Sequence, residues 1–442
     1  MKRFPFLHFL RSVCGLLLLS AATHVSHGAD DPIAPDSPAP PTGEKLTLEA
    51  AIAEAVAQNP ALSVIAADVD SARGEVVTAQ TKPAPELTFG PGWKRVSEGD
   101  GSHSEIKATV ALTQTLLHRG RRDLVVAIAE RNVELRGLAV EGLSLQLAAA
   151  VRQSFYELLA AQSVVALRHD QIESARTFQA AAARRAESGY ASDFEAVKSS
   201  VDVLNATKLL RAAEGEINTA RVELNILLGR DPSSPLEVTG NLDPSATEPT
   251  MPDVIARALA KSPGLRAQAM QAEIAELNLR KVRLARRSDI SVGPSLEYSK
   301  SEQILGVSAT IALPNKSYGR GEILTATAEQ RKVEAETARL RREIIGAITR
   351  AAAQLDAARQ QLALYTPAYL DQIKAMVELA EKSYAQNATS LLIYLDAKRT
   401  YFDALADYYD ALANVARSRA ELESAAGVPI ETNLTTNDSY RP

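Results

Sequence analysis

Residues 105–113 read EIKATVALT, and this stretch decides the fold class because its side chains alternate between polar and apolar. Such alternation predicts a β-strand with one apolar and one polar face. The same pattern occurs in LTFGPGW at residues 87–93 and twice more in the second half of the chain. We therefore predict four amphipathic strands, at about residues 86–95, 104–115, 288–299 and 304–313.

Long helices are predicted between these strands. No proline occurs between Pro91 and Pro232, and residues 121–187 are a 67-residue stretch rich in good helix formers, which would extend over roughly 100 Å. Residues 47–83 and 192–228 predict two shorter helices that together match the long one. Residues 321–386, with a kink at Pro367, and residues 390–426 predict their counterparts later in the chain. Helices of this length indicate coiled-coil packing.

The chain contains one unit used twice. IAEAVAQNPAL at residues 52–62 matches IARALAKSPGL at residues 255–265 with an offset of 203, and Gly90-Pro91 matches Gly293-Pro294 at the same offset. Arg119-Gly120 aligns with Arg320-Gly321 at an offset of 201, and Gly229 with Gly427 at 198. We infer two repeats, residues 46–240 and 253–430, joined by a linker at 241–252. Each repeat is a helix, two strands, a long helix and a shorter helix.

The N-terminal residues 1–29 predict a secretory signal peptide, because Lys2, Arg3 and Arg11 precede or flank a short apolar run that ends in small residues. Residues 30–45, rich in proline and glycine, predict a flexible lead-in, and residues 431–442 predict a flexible tail. The single cysteine, Cys14, falls within the signal, so the exported chain is expected to have no disulfide or thiol ligand.

Composition and motifs argue against an enzyme. The 442 residues are 46% hydrophobic and 5% aromatic with a net charge of −5, and no lysine- or arginine-rich block indicates nucleic-acid binding. Only His103, His118 and His169 follow the signal, far apart in sequence, and no phosphate loop or nucleophile elbow occurs. We expect no catalytic residue, no cofactor and no metal site.

Four amphipathic strands leave two open sheet edges and an outer apolar face. Exported proteins resolve this by closing a barrel in the outer membrane, with apolar side chains toward lipid. Four strands cannot enclose an open lumen, but three chains would supply twelve. The geometry motivates an oligomer without fixing the number of chains.

Several motifs resemble the trimeric TolC-type outer-membrane efflux factors. LTLEAAIAEA at residues 46–55 with Asn59-Pro60 is similar to the opening helix of that family, and residues 112–122 to its strand-to-helix junction. Residues 188–193 and 390–397 are similar to its two inter-helix turns. Leu313-Pro314-Asn315 with Gly319-Arg320-Gly321-Glu322 is most similar to the cobalt–zinc–cadmium (heavy-metal) efflux branch.

The resemblance implies a mainly α fold with a membrane β-barrel contribution: two repeats trimerise into a 12-stranded barrel that continues as an α-helical tunnel through the periplasm. It implies an exit duct of a tripartite efflux system that passively conducts cargo, including heavy-metal cations. The implied partners are two further copies of the chain, outer-membrane lipid, a periplasmic membrane-fusion adaptor and a proton-driven inner-membrane pump of the resistance–nodulation–division type. An exported coiled-coil scaffold or adhesin, a periplasmic enzyme or binding protein, and a duct for type I protein secretion are the alternatives.

The candidate site residues fall into three groups. The strand pattern predicts a lipid-facing belt of Leu87, Phe89, Trp93, Ile106, Val110, Ile290, Val292, Tyr298, Val307 and Ile311. The repeat and the resemblance place adaptor-docking turns at Gly189, Tyr190, Asp193, Asn387 and Ser390. The resemblance implies a periplasmic gate in which Tyr384 bonds to Glu195 and Asp396 contributes to a ring of acids, while Thr389 and Ile393 occupy positions where the family has an arginine and another acid. Arg184 or Arg185 of a neighbouring protomer is the expected substitute for that arginine.

Overall fold

A computed structural model describes residues 45–98, 101–116, 118, 120–188, 192–242, 250–285, 289–300, 302–311, 313 and 319–427. The predicted signal peptide, the tail and most of the lead-in lie outside these residues. The described part contains nine helices and four strands: α1 (Leu48–Gln58), α2 (Pro60–Gln80), β1 (Glu86–Glu98), β2 (Gly101–Leu116), α3 (Arg121–Glu187), α4 (Asp193–Leu228), α5 (Met251–Lys261), α6 (Pro263–Ala285), β3 (Ile290–Ser299), β4 (Gln303–Ile311), α7 (Arg320–Leu362), α8 (Pro367–Ala385) and α9 (Leu391–Ala426).

The four strands form one antiparallel sheet in the order β1-β2-β3-β4. Phe89 lies opposite Val110, which lies opposite Leu296. Because direct cross-strand partners point to the same side of a sheet, this register collects the apolar positions of all four strands on one face. The order also leaves β1 and β4 as the two edges.

The predicted separation into one apolar and one polar face of the sheet has two exceptions. Gln114 lies opposite Val292 and therefore belongs to the apolar face, whereas Ile304 lies opposite Glu297 on the polar face. The strands also differ at their ends from the prediction: β1 and β2 are longer, and β4 ends at Ile311. Pairing within the hairpin extends these strands beyond the residues that alternate.

The helix expected over residues 47–83 is two helices, because the chain leaves the helical conformation at Asn59. Pro60 disfavours a helical residue before it, and Asn59 is extended with ψ 122°. Its side chain accepts a hydrogen bond from the backbone N–H of Ala61 at 2.9 Å and so caps α2. The amide of the same side chain donates to the carbonyl of Leu227 at 2.8 Å, which ties the break to the end of α4.

The second long helix is also divided, where a kink was expected at Pro367. It ends at Leu362, and a new helix begins at Pro367 with Thr366 as its N-cap, whose hydroxyl accepts from the N–H of Tyr369 at 3.1 Å. The proline ring and the missing amide prevent continuation of α7. By contrast, the predicted 67-residue helix over residues 121–187 is α3, with the same bounds.

Packing of the helices follows the repeat. The long helix α3 contacts α2 and α4 on one side and α6 and α9 on the other, and α7 contacts α6 and α9. Buried Ala51 and Ala55 of α1 correspond to buried Val254 and Ala258 of α5 at the offset of 203. The two repeats therefore build equivalent cores, one around α1, α3 and α4, and the other around α5, α7 and α9.

The alignment of the two repeats predicts that Gly321 is the counterpart of Gly120, but the glycine that directly precedes the second long helix is Gly319. Gly120 precedes α3 with φ 79°, and its structural equivalent is Gly319, with φ 71° immediately before α7. Gly321, aligned with Gly120 in sequence, lies inside α7. A left-handed residue at this junction is unfavourable for any side chain with a Cβ, so the conformation of the chain identifies Gly319 as the equivalent residue.

Within the described residues, no single helix has both the length and the apolar character needed to cross a membrane, although α1 and α2, bent by 44° at Asn59, meet those requirements as a pair.

Candidate functional site: the helix turns and the sheet face

Tyr384, one of the predicted gate residues, lies in an aromatic cluster at the end of the helical region where α4 and α9 begin. Phe178 of α3, Tyr384 of α8 and Tyr394 of α9 are buried together. The Tyr384 and Tyr394 rings are stacked with centroids 5.5 Å apart, and Phe178 lies 5.0 Å from Tyr394 and 5.6 Å from Tyr384. Such ring pairs contribute stability beyond the area they bury. We call these three residues the aromatic cluster.

The turn that joins α8 to α9 brings Tyr384 and Tyr394 together. Asn387 adopts φ 56°, as predicted for the turn position equivalent to Gly189. Ser390 then caps α9, because its hydroxyl accepts from the N–H of Ile393 at 3.5 Å. Gly189 and Tyr190, predicted for the other turn, lie outside the described residues, while Asp193 begins α4 and is exposed.

Tyr384 and Glu195 form the hydrogen bond that the resemblance implied. The phenol donates to Oε2 of Glu195 at 2.6 Å, across from α8 to the first turn of α4. Burial raises the pKa of Tyr384 to about 12, and the adjacent carboxylate of Glu195 acts in the same direction. The phenol therefore remains a proton donor throughout the physiological pH range.

Arg185 contacts Tyr384 and the α8–α9 turn of its own chain. Its guanidinium lies 4.9 Å from the Tyr384 ring centroid and donates to the side-chain oxygen of Asn387. Arg184 donates to the carbonyl of Ala180 in its own helix, and substitution for the family's arginine by Arg184 or Arg185 of a neighbouring protomer stays a prediction. Arg185 thus links the end of α3 to the α8–α9 turn.

Lys398 is a member of this site that sequence reasoning missed. Its ammonium lies 5.0 Å from the Tyr394 ring centroid and 5.7 Å from that of Phe178, and it donates to the carbonyl of Ser174 at 3.3 Å. Burial lowers the pKa of Lys398, opposed by the charges of Glu381 and Asp202. The available signal was its position one helical turn after Tyr394, on the same face of α9.

Ile393 and Asp396 do not join the aromatic cluster. Leu391, Tyr394 and Leu395 form the buried face of α9, and the helical period places Ile393 and Asp396 on the opposite side. Ile393 is 59% exposed and Asp396 is exposed, while Thr389 is half-buried in the turn. The structure therefore brings Tyr384, Glu195 and Arg185 together and leaves Ile393 and Asp396 on an outward surface.

The predicted lipid-facing residues share one face of the sheet. Nine of the ten are exposed, Trp93 and Val307 by 79% and 81%, and Val292 is half-buried. On the polar face, ion pairs join Lys107 to Glu297 and Lys94 to Glu302. No group of three or more metal-binding side chains occurs among the residues described.

The fold and the sheet face define the class of protein. An amphipathic antiparallel sheet joined to paired helices of tunnel length is the protomer architecture of an outer-membrane channel. A model of the outer membrane efflux protein family matches residues 51–230 and 254–428, one range in each repeat. The chain belongs to this family, and it is an outer-membrane efflux channel that extends into the periplasm, so the TolC-type resemblance is confirmed. The family is one of passive channels.

Two curated relatives and a solved structure are similar over most of their length. The cobalt-zinc-cadmium resistance protein CzcC of Cupriavidus metallidurans is 26% identical over 357 residues, covering 80% of this chain and 84% of CzcC. Protein CyaE of Bordetella pertussis is 26% identical over 343 residues, covering 73% and 72%. The crystal structure of CusC has a TM-score of 0.70 at 17% identity, covering 86% of this chain and 92% of that one.

The position of Tyr384 predicts its titration. A raised pKa means that the native interactions of the phenol stabilise the fold fully below pH 10 and are lost as the pH rises through about 12. We expect the difference in tyrosinate absorbance between the native protein and Tyr384→Phe to show a midpoint near 12, and Glu195→Gln to lower that midpoint. A midpoint at 10 would contradict the buried, hydrogen-bonded phenol.

Proposed function

We propose that three copies of the chain form the exit duct of a tripartite efflux system that conducts heavy-metal cations out of the periplasm. The observation that carries the proposal is the four-stranded sheet with two open edges and one exposed apolar face. In lipid, unpaired backbone groups at those edges cost several kcal/mol each, so β4 of one copy is expected to pair with β1 of the next. Three copies give twelve strands, enough to enclose a lumen.

The helices support the same assembly. Two of them, α4 and α8, each carry a row of apolar side chains that is exposed in the single chain, and we call such a row a seam. On α4, the exposed residues Phe194, Val197, Val201 and Leu204 recur at spacings of three and four. On α8, Tyr369, Met376 and Leu379 are exposed at spacings of seven and three. Both are heptad seams of the kind that pack between antiparallel helices. The α4 seam of one protomer is expected to pack on the α8 seam of its neighbour.

A disulfide tests this contact between protomers. Val201 lies eight residues after the start of α4, and Met376 lies nine residues before the end of α8, so both are about 12–14 Å from the turns. The exported chain lacks cysteine, and Val201→Cys with Met376→Cys should give crosslinked dimers and trimers on oxidation. The control pairs Val201→Cys with Leu324→Cys. Leu324 lies near the start of α7, far from the turns, so this variant should remain monomeric on denaturing gels. Equal crosslinking of both pairs would contradict the seam.

At the periplasmic end, we infer that the Tyr384–Glu195 bond and Arg185 hold the duct closed. A hydrogen bond to a carboxylate contributes about 1.5–3 kcal/mol, and Arg185 fixes the ring from its other side. Ile393 and Asp396, on the outward face of α9, are assigned to the surface that lines the closed axis. Three copies of Asp396 would attract cations and repel anions. The exposed turn residues Asp193, Asn387 and Ser390 are assigned to adaptor docking, together with Gly189 and Tyr190.

Conductance in a planar bilayer tests the gate. Tyr384→Phe with Glu195→Ala should raise conductance by about tenfold or more, since each protomer loses a bond of about 1.5 kcal/mol or more. Asp396→Asn should weaken the cation preference without changing the open probability. Tyr365→Phe, which alters a phenol outside the aromatic cluster, is the control. Unchanged conductance and selectivity in the gate variants would remove these residues from closure.

The cargo is proposed from the similarity to CzcC, whose name assigns it to cobalt, zinc and cadmium resistance. A bacterial strain that retains a metal-efflux pump and adaptor but lacks the duct should gain zinc tolerance when it produces this chain. Val110→Lys should abolish the gain, because lysine on the lipid face near the membrane midplane costs about 2–4 kcal/mol. Thr109→Lys, one residue away on the polar face, should retain it.

Correct outer-membrane assembly without any gain in tolerance would contradict the metal cargo. Equal assembly of Val110→Lys and Thr109→Lys would instead contradict the assignment of the lipid face.

A further inference from the structure

The apolar face of the sheet has a defined lower boundary. Leu116, Ile290 and Ile311 are direct cross-strand partners at the ends of β2, β3 and β4 that adjoin the helices, and all three are exposed. Beyond this row the chain passes into the terminal turns of α2, α3, α6 and α7. These turns lie where an outer-membrane channel leaves the lipid on the periplasmic side, so their charges are placed to meet lipid headgroups.

Five cationic side chains at this level have no ion pair with any residue that the structure describes. One of them, Arg122, donates a hydrogen bond to the carbonyl of Gln80. Of the other four, Lys82 lies between α2 and β1, Lys281 and Arg283 lie near the end of α6, and Arg320 is the first residue of α7. Lys82, Arg283 and Arg320 are exposed, and Lys281 is half-buried. We call these four residues the junction cations.

The neighbouring carboxylates do not neutralise them. Arg121 is paired with Asp289, and Arg280 with Glu276, within their own junctions. Asp123 and Glu322 lie in the first turns of α3 and α7, where the positive ends of the helix dipoles attract them. Glu75, near the end of α2, lines the same groove as Lys82 and forms no ion pair with that lysine.

Among the described residues of this level there are seven cations and five carboxylates. The cations are Lys82, Arg121, Arg122, Arg280, Lys281, Arg283 and Arg320, and the carboxylates are Glu75, Asp123, Glu276, Asp289 and Glu322. The surplus is positive although the whole chain has a net charge of −5. The folded chain brings these cations together from four separate segments, so no basic block announces them in the sequence.

A groove beside one junction cation combines charge with an apolar floor. It lies between the end of α2 and the start of α3, has a volume of about 630 Å³, and is lined by Lys82, Arg122, Val125 and Ile128, with Glu75 at its lower end. The Nε atom of Arg122 is buried there without a hydrogen-bond partner among the described residues. Cationic donors above aliphatic side chains match the phosphate and upper acyl chain of a phospholipid.

We propose that the junction cations bind anionic phospholipid headgroups of the membrane leaflet that faces the periplasm. The proposal rests on the assignment of the sheet to the membrane. It adds a lipid specificity to the proposed duct: the apolar face fixes the depth of insertion for any lipid, while the junction cations select negatively charged headgroups at its periplasmic edge.

Spin-labelled lipids test this selectivity. The full-length mature protein would be reconstituted into phosphatidylcholine vesicles with labelled phosphatidylglycerol or labelled phosphatidylcholine as the probe. We expect the motionally restricted fraction to show a preference for phosphatidylglycerol of about three- to fivefold at low salt. Because exposed charges are screened, 0.5 M salt, about three times the physiological ionic strength, should weaken the preference.

Matched variants separate headgroup binding from general charge. Neutralisation of the four junction cations (Lys82→Gln, Lys281→Gln, Arg283→Gln, Arg320→Gln) should abolish the preference, whereas exchange of lysine and arginine at the same positions should retain it. Neutralising four exposed cations far from the sheet (Arg341→Gln, Arg350→Gln, Lys374→Gln, Lys382→Gln) should leave it unchanged. Two results would overturn the lipid-binding proposal and leave the proposed duct intact. One is a protein that inserts into the vesicles but shows no preference for phosphatidylglycerol. The other is an equal loss of the preference in the junction-cation variant and in the variant with four distant cations neutralised. Failure to insert into vesicles at all would overturn the duct as well.

Discussion

Unpaired backbone groups at the edges of β1 and β4 are the constraint on which the rest of the structure depends. A single chain supplies a four-stranded sheet with an exposed apolar face, and no element of the described chain covers either edge. Water can satisfy edge amides and carbonyls, but lipid cannot. The apolar face therefore favours a lipid environment, but the open edges prevent a single chain from entering lipid. Both conditions are met when the edges pair with copies of the same chain and the sheet closes.

The helices also leave groups of the single chain without a partner, and here these groups are apolar side chains instead of backbone amides and carbonyls. Within the chain, α3 is packed on both sides, whereas α4 and α8 each keep one exposed seam of apolar residues. The closure assigned to Tyr384, Glu195 and Arg185 is then a local contact between these helices, where a modest change in free energy can shift a large assembly.

Local signals explain what the sequence could predict. Alternation fixed the faces of the strands, and the absence of proline from residues 121–187 predicted α3 with its observed bounds. Pro60 is a local signal for the division at Asn59, but the prediction of one helix over residues 47–83 disregards it, because good helix formers resume directly after the proline. The contact of Asn59 with Leu227 arises only in the folded chain. Alignment of the two repeats matches Gly321 with Gly120, whereas the left-handed φ that identifies Gly319 as the equivalent residue is visible only in the folded chain. The pairing of Tyr384 with Glu195 came from family resemblance, while Arg185 and Lys398 acquire their contacts only from tertiary packing.

Amide hydrogen exchange measures edge pairing in the assembled protein directly. In the membrane-reconstituted protein, we expect that amides of β1 and β4 that point away from β2 and β3 exchange as slowly as those in the middle of the sheet. Each of these amides would then be bonded to the neighbouring protomer. Rapid exchange confined to the outward amides of β1 and β4, with β2 and β3 protected, would show open edges and contradict closure of the sheet by copies of the chain.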